Sequence, residues 1–74
     1  MTRHEAHNLY SHLNDNGHGF AIGDDNQTIA DALIEDGYEY AGDLGDGLVK
    51  ATKDGAMYLV GGDGMGRNAW AVQI

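Results

Sequence analysis

The apolar positions of this chain change period about halfway along. Ala6, Leu9, Tyr10 and Leu13 recur at i, i+3, i+4 and i+7, the spacing of one helix face. Thr2-Arg3-His4-Glu5 precedes them as a capping box, in which Thr2 and Glu5 each satisfy a backbone N–H that the first turn leaves unpaired. Gly17 follows as a left-handed stop, so a helix over 2–16 is expected. "NQTIADALIEDG" repeats the pattern. Ile29, Ala30, Leu33 and Ile34 form its apolar face and Gly37 its stop, which predicts a second helix over about 26–36. Asp24 and Asp25 stand ahead of it, where the positive end of a helix dipole favours acids.

From Tyr38 onward the period is two. "YEYAG", "LVKAT", "AMYLV" and "NAWAVQI" read as strands, with "LGDG" and "KDG" as turns. Gly55 can adopt the positive φ that a tight hairpin requires. "HGFAIGDD", between the helices, is a short strand or an extended connector. The order α-β-α-β-β-β implies an α+β fold: two helices packed on one face of a small antiparallel sheet of three to four strands. In the last strand Trp70, Val72 and Ile74 share the face expected to anchor the sheet to the helices. Ala69, Ala71 and Gln73 share the other.

A chain of 74 residues has room for one domain, 1–74, and one small core. Cysteine is absent, so neither a disulfide nor a thiolate zinc site can reinforce that core. No apolar run approaches the roughly 20 residues that span a bilayer, and "MTRHEAHNLY" lacks the apolar segment of a signal peptide. A soluble, cytoplasmic protein is expected.

Charge changes the picture more. The formal net charge is -8, with seven acids against one base in residues 1–37 and five against three in 38–74. A field of that sign repels nucleic acid and anionic membranes and attracts basic surfaces. Asp31 and Glu35 are i, i+4 on the second helix, a spacing at which like charges destabilise by about 0.2–0.5 kcal/mol. Glu35 and Asp36 also occupy its last turn, where the dipole favours cations. Such local violations belong more often to functional surfaces than to neutral ones. A solvated surface kept for solubility or high salt is the competing explanation.

The remaining chemistry is sparse. In "VGGDGMGRNAWAVQI" the spacing G-x-G-x-x-G fails at Arg67, no Lys-Ser/Thr follows, and no helix opens after it, so a phosphate loop is excluded. His4 and His7 lie at i, i+3 with Ser11 nearby, whereas His12 and His18 lie elsewhere; three converging metal ligands are not in view. "GDDNQT", "GDLGDG" and "GGDGMG" lack the spacing of a calcium loop. Ser11, the only serine, has no nucleophile elbow around it. No cofactor and no catalytic role are expected.

Compact size, strong acidity and a glycine-rich tip resemble the small acidic phage-encoded inhibitors, including anti-CRISPR proteins and DNA mimics. The likeness is one of composition over the whole chain. It implies a non-catalytic protein acting in a host cytoplasm. Its carboxylates would occupy a basic groove of a nucleic-acid-handling complex. The expected contacts are Asp24, Asp25, Asp31, Glu35, Asp36 and Glu39, with Met65 and Arg67 as an adaptable pair at the last hairpin tip. The alternative is a small assembly domain that pairs its sheet with a partner or as a homodimer, through the small-residue face of the last strand.

Overall fold

The computed structural model describes residues 1–24, 26–62 and 67–74. Helix α1 runs Arg3–Asp15. Thr2 caps it as the sequence predicts, its Oγ1 accepting from Glu5 N at 3.1 Å. Gly17 ends it at φ 81°. Helix α2 is shorter than its pattern, Ile29–Glu35. Thr28 takes the cap position and its Oγ1 accepts from Asp31 N at 3.2 Å. Asn26 and Gln27 therefore precede the helix, and Asp24 stands too far ahead to serve its first turn; Asp25 lies outside the described residues. The acid that meets the dipole is Asp31. Gly37 ends α2 at φ 85°, as expected.

Five strands, rather than three to four, form one antiparallel sheet: β1 Gly19–Ala21, β2 Glu39–Gly45, β3 Leu48–Lys53, β4 Ala56–Gly61 and β5 Trp70–Gln73. The extended connector after α1 is a true strand, because Phe20 pairs with Ala71 at the sheet edge. β2 also continues through the expected "LGDG" turn. Only Asp46 and Gly47 make that turn, at φ 52° and 76°. Asp54 and Gly55 repeat the geometry at φ 53° and 82°. Both are two-residue Asp-Gly hairpins, whose paired positive φ values match the twist of the flanking strands.

The strand order is β1-β5-β4-β3-β2. Every neighbouring pair is antiparallel, so β1 and β2 run the same way at opposite edges. The link between them, α2, must cross one face of the sheet. That overturns the expectation of both helices on one face. Ala6, Leu9, Tyr10 and Leu13 of α1 pack on Leu48, Leu59, Trp70 and Val72. Ile29 and Leu33 of α2 pack with Val49, Ala51, Val60 and Ala71. Leu59 and Val60, or Trp70 and Ala71, are strand neighbours and point to opposite faces. The fold is three layers, α1 and α2 enclosing the sheet.

Trp70 anchors the α1 side at 3% exposure. Tyr10 stacks on it with ring centroids 4.9 Å apart, and His7 meets it edge-on at 6.3 Å. Among the described residues its Nε1–H meets no acceptor, so packing holds the indole. Two further expectations fail for lack of coverage. Ile74 is 59% exposed beyond the last strand, and Ile34 is 77% exposed. With about 100° of rotation per residue, Ile29, Ala32 and Leu33 fill the inward arc of α2, and Ile34 lies outside it.

Candidate functional site

The α2 layer sorts the charge of the molecule. Asp24 precedes α2, Asp31 and Glu35 project from it, and Asp36 caps its end. Asp43 and Asp46 join them from the β2–β3 hairpin, since Asp43 pairs with Val49, whose side chain belongs to the α2 core. The α1 side carries Glu5, Asp15 and Glu39, with Arg3 and Lys50 among them, and Asp54 sits in the β3–β4 turn at the end of the sheet. Six described carboxylates thus share the α2 side.

Within it, Asp24, Glu35 and Asp36 converge. They line a shallow polar depression of about 310 Å³ with Ile22 and Gln27. Gln27 organises it: its Oε1 accepts from Asp24 N at 3.2 Å, and its Nε2 donates to Glu35 Oε2. Lys53 Nζ lies 3.5 Å from Asp36 Oδ2 and 4.9 Å from the centre of the Tyr38 ring. Both side chains of that ion pair are partly solvated, which makes it a modest stabiliser. The fold changes the acidity of Tyr38. Burial, followed by repulsion from Tyr58 and Asp36, raises its hydroxyl above the ordinary 10.0.

Of the residues expected at the site, Asp24, Asp31, Glu35 and Asp36 are brought to one face. Glu39 is not. Its neighbour Tyr40 pairs with Ala51 on the α2 side, so Glu39 turns to the other face of β2. Asp25 and Met65 lie outside the described residues. Arg67 is exposed in the link from β4 to β5. Asp43 and Asp46 were not singled out by spacing. Reading Asp46-Gly47 as a two-residue hairpin turn would have found them, because that turn fixes the register of β2 on β3.

A second feature flanks α2 on the hairpin side. Ile29, Ala30 and Leu33 face Tyr40 and Val49 across a groove of about 410 Å³, with Asp43 and Asp46 at its lip. Tyr40 is 64% exposed there. The surface expected to drive self-association is covered at its two alanines, while Gln73 is exposed. Ala69 and Ala71 are fully buried, Ala71 within the α2 core and Ala69 against the backbone of Ile22 and Gly23, both of whose N–H groups donate to Ala69 O.

No group of three or more His, Cys, Asp or Glu among the described residues is arranged to hold a metal ion. Among the described residues no helix is long and apolar enough to cross a membrane. Comparison with protein-family models, curated proteins and solved structures found no match to the chain.

Proposed function

We propose that this is a small non-catalytic binding protein whose α2 face occupies a basic surface of another protein. Acting as the acidic nucleic-acid mimics do, it would exclude phosphates from that surface. One observation carries the reading: separate segments of the chain deliver six of the described carboxylates to the same side, where Lys53 pairs with Asp36. Solubility alone asks for charge spread over the surface; a steering field asks for it on one side.

The test separates face from net charge. Asp31→Lys with Glu35→Lys moves the formal charge from -8 to -4, and so does Glu5→Lys with Asp15→Lys on α1. All four residues are exposed, so both variants should fold. Affinity for a lysine- and arginine-rich peptide, measured by calorimetry, should fall at least about tenfold in the α2 pair and much less in the α1 pair. Equal losses would reduce the effect to net charge and end the proposal.

A further inference from the structure

The groove between α2 and the β2–β3 hairpin is apolar inside and acidic outside. Ile29, Leu33, Tyr40 and Val49 form its walls, and Asp43 and Asp46 its hairpin lip. On the helix side Ala30 and then Ile34 continue the apolar surface outward, before Asp31 and Glu35. The groove, of about 410 Å³, is open to solvent and lined mainly by apolar atoms. A solvated acidic face has no use for this feature. The exposed Tyr40 ring and Ile34 side chain leave apolar area in water that a partner would cover.

We infer that this groove docks a basic protein segment carrying one large apolar side chain. The side chain enters between Leu33 and Tyr40, and its cationic neighbours meet Asp43 and Asp46 at the hairpin lip. The inference rests on the acidic-face reading and adds an anchor to it. Charge complementarity selects this occupant over a second copy of the chain. A two-fold interface places the same patch on both sides, so a homodimer here would set Asp43 and Asp46 against their own equivalents. Strand addition to β2 is disfavoured too, because its register shifts twice, between Tyr40 and Gly42 and between Asp43 and Gly45.

The experiment titrates the isotope-labelled full chain with two short peptides of equal positive charge, one with a central leucine and one with serine there. Backbone resonances report the site and the affinity. The leucine peptide should bind about tenfold tighter or better, the effect of burying one such side chain, and shift Ala30, Leu33, Tyr40 and Val49. Tyr40→Ala, and independently Ala30→Trp to fill the groove, should remove most of that preference while leaving the serine peptide unaffected. Both positions are exposed, and an unchanged amide spectrum elsewhere verifies the fold. Equal affinity for the two peptides would overturn the anchor and leave the acidic-face reading standing. Binding of neither would overturn both. Shifts of the groove residues on concentrating the protein alone would assign the groove to a second copy and overturn the inference.

Discussion

Gly61 shows how tightly single residues are specified around Trp70. A Cβ built there would lie 2.6 Å from Trp70 Cζ2 and 3.0 Å from Leu48 Cδ2. Both neighbours belong to the α1 core and neither has space to retreat. Gly61→Ala lowers the entropy of the unfolded chain, a gain of about 0.4–1 kcal/mol. Overpacking costs about 1–3 kcal/mol, so the steric effect wins, and the urea midpoint should fall. Tyr38 gives a second residue-scale expectation. Its raised hydroxyl means that the folded state holds the proton more tightly than the unfolded state. The associated stability is intact below the ordinary value of 10.0 and is lost as pH rises through the folded value. The melting temperature should therefore drop above about pH 10, and drop less in Tyr38→Phe.

At the scale of elements, α2 is the weak member. Seven residues are too few for a helix to persist alone, so its cap and its inward face carry it. Thr28→Ala removes the acceptor for Asp31 N and should cost about 1 kcal/mol, read as a lower denaturation midpoint with increased amide exchange confined to α2. Asp31 and Glu35 repel along the same short helix, and Glu35 is tied to Gln27 rather than to a cation. The hairpins are the strong local elements. Each Asp-Gly pair sets its own register, and β2, β3 and β4 follow from two such turns.

The whole molecule is a charge-sorted sandwich. Because α2 crosses from one edge of the sheet to the other, the loop before it, the helix itself and the β2–β3 hairpin all open on one side. The α1 side carries fewer carboxylates, Glu5, Asp15 and Glu39, beside Arg3, Lys50 and the histidines of α1. A one-sided field predicts a steep salt dependence for the peptide binding described above. Raising ionic strength toward 1 M shrinks the screening length to about 3 Å and should weaken the parent strongly. The Asp31→Lys/Glu35→Lys variant should respond less, because two of the six carboxylates being screened have become cations while Asp24, Asp36, Asp43 and Asp46 remain. A groove anchor, being apolar, should leave the preference for leucine over serine largely unchanged by salt.

Periodicity and turn chemistry by themselves determined α1, the presence of α2 though not its start, the glycine stops at Gly17 and Gly37, the Thr2 cap and the antiparallel pairing of β2, β3, β4 and β5. These are local matters, settled within a few residues of backbone geometry. The acidity of the α2 sequence was equally legible, since Asp31, Glu35 and Asp36 lie within one helix and its cap. Tertiary structure decided which face each element covers. An alternating strand such as Trp70–Gln73 specifies two faces but not their occupants; that depends on the path of α2 between the sheet edges. Alanines that read as an open surface are buried for this reason, and Glu39 parts from the acids that precede it. Asp43 and Asp46 reach α2 only through the long-range pairing that brings the hairpin beside it, and with them comes the groove, which no single segment contains.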